Sequence, residues 1–401
     1  MQHSEPVLPT EPTTLWNRSF VIVLLTGIFT SMSSYMILPL ISKYAISLGA
    51  SLPLAGSIAS IMSIAALISR PFSGVVADRF NRKHLTIWAT LLAAVAIAAC
   101  AFADAILPIV IIRTIHGFAF SLMTVSSMAL ASSLVPGDKL GEGMGYLGLG
   151  TILASAIGPG IGLMISEQYG YSACFLISAG FMLIGAVAML AVPNHYVPIK
   201  RQGRQRIRLK HFFASELTLY MLILGLFSCG NGLISTYLAL LGDERGIANI
   251  ALFFTAYSIM MVVIRPFVGV LLDKKGLSII MYPALALATL GMVLLGSATT
   301  IWMVIIASIL KALGQGAGTP SIQAYSIKLI GKERAGVASS TCYIGQDIGN
   351  SIAPIIGGFV AVQYGYAQMF YGYAAILLLL GTALYAWQHH RERRGSNSNI
   401  S

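Results

Sequence analysis

The sequence predicts an all-α integral membrane protein with twelve transmembrane helices in two related six-helix halves. Only 10% of its 401 residues are charged and 56% are hydrophobic, whereas about 25% of the residues in a soluble domain are charged. Apolar runs of ~20 residues recur along the chain, and a motif in the first half returns in the second. A lipid-facing exterior explains the shortage of charge, because it needs no hydrated surface.

Each apolar run is long enough for a helix to cross a bilayer, which takes ~20 residues. In the first half we expect spans near 19–41, 52–71, 85–104, 106–132, 142–165 and 171–193. In the second half we expect them near 214–241, 249–268, 278–299, 301–327, 336–361 and 367–388. These spans define two bundles, 19–193 and 214–388, joined by a basic linker, 194–213, and flanked by tails, 1–18 and 389–401. His389-His390 is expected to end the last helix rather than to bind a metal.

The distribution of basic residues predicts that both termini lie in the cytoplasm. Of the 25 Lys and Arg residues, only Lys43 and Arg245 fall on the outer side and only Arg113 and Lys311 fall within spans. The others lie in or beside cytoplasmic segments, in agreement with the positive-inside rule. This bias accounts for the net charge of +11 without a nucleic-acid site on the linker.

The two halves read as a tandem duplication. A nine-residue motif returns after 195 residues, and its copies are Arg70-Pro71-Phe72-x-Gly74-Val75-x-x-Asp78 and Arg265-Pro266-Phe267-x-Gly269-Val270-x-x-Asp273. The same displacement relates Gln168-Tyr169-Gly170-Tyr171 to Gln363-Tyr364-Gly365-Tyr366, Pro159 to Pro354, and Gly150 to Gly345. Because six spans is an even number, both halves enter the membrane in the same orientation. We therefore expect an axis along the membrane normal and a shared cavity between the halves, as in transporters.

The stretch from Gly74 to Lys83 resembles the loop-2/3 signature of the major facilitator superfamily, and it follows the second span, as it does there. Asn81 stands where the family has glycine, and we expect the turn to survive because asparagine tolerates the left-handed conformation. The resemblance implies a cytoplasmic gate in which Asp78 sits at a helix N-terminus and basic residues pair with acids. The expected gate residues are Arg70, Gly74, Asp78, Arg79, Arg82, Lys83, Arg265, Gly269 and Asp273. The alternative is a topology determinant alone.

Two further stretches resemble the drug:proton antiporter and sugar-efflux branch of this superfamily. The run Arg113-Thr114-Ile115-His116-Gly117 is similar to its RxxQG signature, with His116 in place of glutamine. The run Gly158-Pro159-Gly160-Ile161-Gly162 is similar to its GPxxGG signature, which implies antiport. The simpler interpretation of the second run is a kink with close helix packing. The expected helix-kink residues are Gly150, Gly158, Pro159, Gly162 and Pro354.

Charged residues within spans predict the site of chemistry. Each costs roughly 2.5–3.5 kcal/mol at the centre of a span, so we expect a functional role. We predict a cavity for protons and substrate formed by Arg113, His116, Lys311, Gln315, Tyr343, Asp347 and Asn350. Asp347 and His116 are rival proton carriers: burial and nearby cations act on the pKa of Asp347 in opposite senses, and histidine titrates nearer neutrality. An ion pair between Asp347 and Lys311 is the structural alternative.

The sequence favours a secondary transporter that exports a small organic solute in exchange for protons by alternating access. Two fixed cations and one acid favour an anionic or zwitterionic solute over a lipophilic cation. We expect a bacterial inner-membrane location and no cofactor or metal, and the resemblance implies a monomer. A proton symporter that imports a nutrient is the main alternative. A membrane-embedded enzyme is disfavoured because the spans hold no HExxH motif, triad or paired acids, and a non-transporting sensor would need a signalling domain.

Overall fold

The computed structural model describes residues 14–50, 52–193 and 213–398, and all regular structure in this part of the chain is helical. Most of the predicted linker, 194–212, and parts of the tails, 1–13 and 399–401, lie outside the described residues. The helices of the first half are α1 (Arg18–Ile37), α2 (Leu40–Ser47), α3 (Leu52–Arg79), α4 (Arg82–Cys100), α5 (Ile106–Ser133), α6 (Leu140–Leu147) and α7 (Leu149–Leu190). Those of the second half are α8 (Thr218–Arg245), α9 (Leu252–Lys275), α10 (Ser278–Ser297), α11 (Ile301–Ile330), α12 (Ala335–Tyr364) and α13 (Tyr366–Ser398).

Ten segments of the described chain are long and apolar enough to cross a membrane. One of them, Gly137–Leu190, holds two helices, because the backbone of α7 leaves the helical conformation at Gly170, with φ 84° and ψ 168°. Helix α12 is also long enough, at 30 residues, although polar residues around Asp347 lower its mean hydropathy. With these two additions the described chain contains the twelve predicted spans, six in each half.

The internal duplication is visible in the backbone. Gly365, which separates α12 from α13, has φ 87° and ψ 165°, so it repeats the conformation of Gly170, 195 residues earlier. Only glycine adopts these angles without strain. The two copies of the Gln-Tyr-Gly-Tyr motif are therefore the tight turns that reverse the chain between the last two spans of each half.

The glycines of the predicted kink motif bring α7 and α1 close together. A Cβ at Gly150 would lie 2.8 Å from a side-chain atom of Ile28, and a Cβ at Gly158 would lie 2.9 Å from the Cβ of Tyr35. A Cβ at Gly162 would overlap the backbone oxygen of Met36. Such small residues permit close helix packing in membranes. Pro159 and Pro354 lie inside α7 and α12, and the non-helical residue inside α7 is Gly170.

Several helices extend beyond the predicted apolar spans. Helix α13 continues to Ser398, so the expectation that His389 and His390 end it was wrong. Helix α3 continues through Pro71 to Arg79, which places most of the Gly74-to-Lys83 motif on a helix rather than in a loop. Hydropathy marks the apolar part of a helix and not its ends, because charged residues such as arginine and glutamate are good helix formers.

Candidate functional site

The carboxylate of Asp78, at the end of α3, caps the first turn of α12 in the other half. Its oxygens accept hydrogen bonds from the backbone nitrogens of Gly336, at 2.7 Å, and Val337, at 3.0 Å. The unpaired N–H groups at a helix start carry partial positive charge, so an acidic side chain is stabilised there. Arg82 pairs with Asp78 at 3.3 Å and donates to the carbonyl oxygens of Lys332 and Glu333. Asp78 thus joins the end of α3 to the start of α12.

Asp273, the second copy of Asp78, makes the equivalent crossing in the opposite direction. It accepts hydrogen bonds from the backbone nitrogens of Gly141, at 3.0 Å, and Glu142, at 2.9 Å, at the start of α6. Lys328 donates to it at 2.5 Å. Two related crossings therefore join the halves at one end of the bundle, which we call the gate end.

Glycines allow the halves to meet at the gate end. A Cβ at Gly74 would lie 2.8 Å from the Cβ of Ser340, and a Cβ at Gly269 would lie 2.5 Å from the Cα of Glu142. The partner positions of these glycines, 336 and 141, are glycine as well. Any side chain here would push the halves apart, so the gate end is closed by backbone contact as well as by charge.

Asn81 does not adopt the left-handed conformation that we expected. It is extended, with φ −62° and ψ 109°, and its side chain caps α4 by accepting from the backbone nitrogens of Lys83 and His84. Asparagine is among the preferred N-cap residues, which explains how it replaces glycine here. Gly276, the second copy of this position, does take a positive φ of 78°. Of the remaining gate residues, Arg79 ends α3, and Lys83 donates to the carbonyl oxygen of Leu190 at 3.0 Å.

Asp347 pairs with Arg70 from the other half and not with Lys311. The Arg70 Nε donates to Asp347 at 2.9 Å, and Nη1 donates to Thr124 at 2.6 Å. The guanidinium also lies over the ring of Tyr343, 4.4 Å from its centre, a cation–π contact. Arg70 is 2% exposed, whereas the Asp347 side chain is 23% exposed. An ion pair at the junction of the halves thus links α3 to α12.

The other predicted cavity cations lie inside their own halves. Arg113 and His116 are buried next to each other on α5, with the Arg113 Nη1 3.3 Å from the His116 Nδ1. Lys311 is fully buried on α11, where it donates to Gln315 at 2.5 Å and to the carbonyl oxygen of Phe227 at 3.4 Å.

The seven residues of the predicted cavity therefore do not form one site. Asn350 is exposed, and only Tyr343 and Asp347 lie at the junction of the halves. Spacing along a helix predicts which residues share a face, but it does not identify the helix that this face meets.

A cavity of ≈ 120 Å³ lies between the halves beside the Arg70–Asp347 pair. Its wall in the first half is rich in hydroxyl groups, from Thr26, Thr30, Ser31, Thr124, Ser127 and Thr151. Its wall in the second half contains Arg265, Gln323 and Tyr343. Tyr343 thus contacts both the cavity and the ion pair. Hydroxyl, amide and guanidinium groups can orient a small polar solute by hydrogen bonding.

Arg265, the second copy of Arg70, lines this cavity without an acidic partner among the described residues. Its Nε is buried and makes no hydrogen bond. Its guanidinium fills the space that a Cβ at Gly148 would need, and it lies near enough to Tyr35, Tyr257 and Tyr343 to interact electrostatically. An unneutralised cation therefore lies at the junction of the halves.

Both arginines lie deeper than the gate at which we expected them, because they line or adjoin the cavity. Arg70 precedes Asp78 by eight residues, as Arg265 precedes Asp273, and eight residues of helix are ~12 Å long. Once the motif is assigned to a helix, this spacing moves the arginines from the gate towards the membrane interior. The described residues contain no group of three or more His, Cys, Asp or Glu that could hold a metal ion.

Comparisons with known proteins agree with this fold. The family model for the Major Facilitator Superfamily matches residues 23–301 and again 247–401. A relative from Escherichia fergusonii, described as multidrug resistance protein MdtG, is 25% identical over 94% of this chain and 96% of its own length. The protein of that name from Serratia proteamaculans is 26% identical over 93% of each chain. The solved structure of the human organic anion transporter MFSD10 superposes with a TM-score of 0.79 at 17% identity, over 92% of this chain and 98% of that one.

Proposed function

This chain belongs to the major facilitator superfamily, and we propose that it exports a small organic solute, anionic or zwitterionic, in exchange for protons. It is a multi-pass membrane protein and a transporter, not an enzyme. In the proposed orientation both termini are cytoplasmic and the gate end faces the cytoplasm. We place it in the bacterial inner membrane, where it works as a monomer.

The observation that carries the proposal is the ion pair between Arg70 and Asp347. It joins the halves beside the cavity, and it lies two helical turns from the crossing made by Asp78. Protonation of Asp347 removes its charge and leaves Arg70 buried without its acidic partner, a strongly unfavourable state. Separation of α3 from α12 relieves this penalty, so proton binding favours opening of the gate end.

Asp347 suits the role of proton carrier better than His116, its rival in the sequence. The Asp347 side chain is partly exposed and pairs across the halves, so its charge affects their separation. His116 is 1% exposed within the first half, and its Nε2 makes no hydrogen bond in the described structure. A change of charge on His116 therefore does not directly alter a contact between the halves.

The available energy and the relatives support export. One proton crossing ~100 mV yields about 2.3 kcal/mol, and one pH unit adds about 1.4 kcal/mol. Because each 1.4 kcal/mol corresponds to a tenfold ratio, one proton sustains a gradient of several hundredfold for a neutral solute. The two bacterial relatives are named multidrug resistance proteins, which favours export over the import of a nutrient.

The first experiment identifies the solute. Culture medium and cell contents of a deletion strain and its parent are compared by untargeted mass spectrometry. We expect a compound that is retained in the deletion cells and depleted from their medium. Where the two strains match, a toxicity panel of foreign compounds supplies the candidates for transport.

The second experiment tests proton coupling in proteoliposomes with an acidic interior. We expect the wild-type protein to accumulate the solute as protons leave, and Asp347→Asn to lose accumulation. Asp347→Asn should still exchange labelled for unlabelled solute without a pH gradient, which shows that it is folded. His116→Gln serves as the control and should accumulate solute. Accumulation by Asp347→Asn contradicts the assignment of the carrier, and uptake that requires an acidic exterior indicates symport.

A further inference from the structure

We propose that an acidic group of the solute binds Arg265, where it takes the position that Asp347 occupies beside Arg70 in the other half. This inference rests on the proposed function and deepens it, because it assigns the charge of the solute and the residue that anchors it. The duplicated motif gives each half a buried arginine, but only Arg70 has an acidic partner among the described residues.

In the first copy hydrogen bonds join the arginine to an acid and to a threonine. Arg70 donates to Asp347 and to Thr124. In the other half, 195 residues away, Arg265 corresponds to Arg70 and Thr319 corresponds to Thr124. Ile152 corresponds to Asp347. The duplication has therefore kept the arginine and the threonine in the second copy, but an apolar residue stands in the place of the acid.

The consequence is two buried polar atoms without partners. The Nε of Arg265 and the Oγ1 of Thr319 both make no hydrogen bond in the described structure, whereas Thr124, the counterpart of Thr319, receives one from Arg70. A buried polar group without a partner is costly. A bound carboxylate, phosphonate or sulfonate accepts several hydrogen bonds and supplies the missing negative charge.

The second copy also faces the cavity. Tyr343, which stacks on Arg70, corresponds to Gly148. The absence of a side chain at Gly148 leaves the space that the Arg265 guanidinium occupies, and both residues line the cavity. The residues that line this cavity include no Asp or Glu. Arg265 is thus the charged group that an entering solute meets.

Binding to the purified protein tests the proposal. The protein is placed in nanodiscs of zwitterionic phosphatidylcholine, and its thermal unfolding is measured with a panel of small carboxylates and phosphonates. Each acid is compared with its neutral amide or ester and with the corresponding amine. We expect at least one acid to raise the unfolding temperature while its neutral and cationic counterparts do not. Equal effects of acids and amides, or no effect of any acid, overturn the proposal.

Variants of Arg265 locate the effect. Arg265→Gln should weaken binding of the selected acid by about ten- to a hundredfold, the worth of a charge-assisted hydrogen bond. Lys43→Gln removes the same charge from an exposed position on α2 and should bind the acid like the wild-type protein. Loss of binding in both variants indicates a general effect of net charge and overturns the proposal.

Substitution of Ile152 provides an internal competitor for the ligand. Ile152→Asp places a carboxylate at the position equivalent to Asp347, so we expect Arg265 to be neutralised and acid binding to be lost. Ile152→Asn has nearly the same shape without the charge and should retain most of the binding. A folded Ile152→Asp protein that binds the acid as tightly as Ile152→Asn contradicts the proposed subsite.

The outcomes separate this inference from the proposed function. Selection of an amide or amine together with proton-driven transport that requires Asp347 refutes the anionic class and leaves proton-coupled export intact. Acid binding at Arg265 without proton-driven transport supports the anionic subsite and refutes proton-coupled export. Nanodiscs with phosphatidylglycerol test a lipid occupant: if this lipid stabilises the protein through Arg265 and abolishes the effect of the acids, the subsite belongs to a lipid headgroup and the proposal fails.

Discussion

At the scale of single residues, the two copies of one arginine have different roles. Arg70 is paired with Asp347, stacked on Tyr343 and bonded to Thr124. Arg265 has an isoleucine, Ile152, where the acid would be. Burial of a charge without a partner is expensive, so a protein tolerates it where function requires it. The difference between the two copies therefore supports a functional role for Arg265 more strongly than either copy does alone.

The Arg70–Asp347 pair should show strong energetic coupling. We expect Arg70→Gln and Asp347→Asn each to destabilise the protein, and the double variant to lose less than the sum, with a coupling energy of roughly 1–3 kcal/mol. The measurement is reversible unfolding of the four proteins in detergent. Arg334 and Glu216 provide the matched control, because their 3.8 Å pair is exposed and should couple by less than about 1 kcal/mol. Similar coupling energies for the two pairs contradict the importance assigned to Arg70.

At the scale of helices, the gate end depends on backbone contact between paired helices of opposite halves. Helix α3 meets α12 at Gly74 and Gly336, and α9 meets α6 at Gly269 and Gly141. Asp78 and Asp273 then each cap the helix whose close approach these glycines allow. Glycine and aspartate therefore act together: without the close approach the carboxylate could not reach the free N–H groups of the opposite helix.

A methyl group at Gly269 should open the gate end. Gly269→Ala places a Cβ 2.5 Å from the Cα of Glu142, and overpacking of this kind costs roughly 1–3 kcal/mol. We expect the closed population to fall about tenfold relative to the open one. Pulsed EPR between nitroxide labels on Asp138→Cys and Glu333→Cys, which are exposed equivalents, should report longer distances. Gly180→Ala is the control, since its added Cβ meets no atom within 4 Å; a shift of equal size there contradicts the packing argument.

The sequence was most informative where a feature depends on local pattern or on repetition. The spans followed from apolar length, and the repeated motif identified Asp78 and Asp273 together. The sequence could not predict the partners of the intramembrane charges, because these partners depend on tertiary packing. Asp347 and Lys311 both occupy polar faces of neighbouring spans, yet one meets Arg70 of the other half and one meets Gln315 of its own helix. Asn81 likewise replaced a turn glycine by capping a helix, a choice that composition does not reveal.

At the scale of the whole molecule, the contacts between the halves describe one closed state of the junction. The halves are joined at the gate end by the Asp78 and Asp273 crossings and, deeper, by the Arg70–Asp347 pair. In the proposed orientation this state is closed towards the cytoplasm. A solute anion at Arg265 and an ionised Asp347 leave both arginines neutralised, whereas a proton on Asp347 leaves Arg70 unpaired. Under the proposed exchange of proton for solute, the two ligands thus change which state of the junction is favoured.

Acidification should therefore open the gate end through Asp347. A proton on Asp347 removes the charge that holds Arg70, so the Asp138→Cys to Glu333→Cys distances should lengthen at acidic pH. Asp347→Asn mimics the protonated state, and we expect it to show the longer distances at every pH.

Because Asp78 also titrates at this end, Asp78→Asn is included and should retain the pH dependence, although its closed population is smaller. His116→Gln should respond like the wild-type protein. A pH response that survives in Asp347→Asn and disappears in His116→Gln would transfer the role of proton carrier to the histidine, which would then have to act through α5 rather than through a direct ion pair.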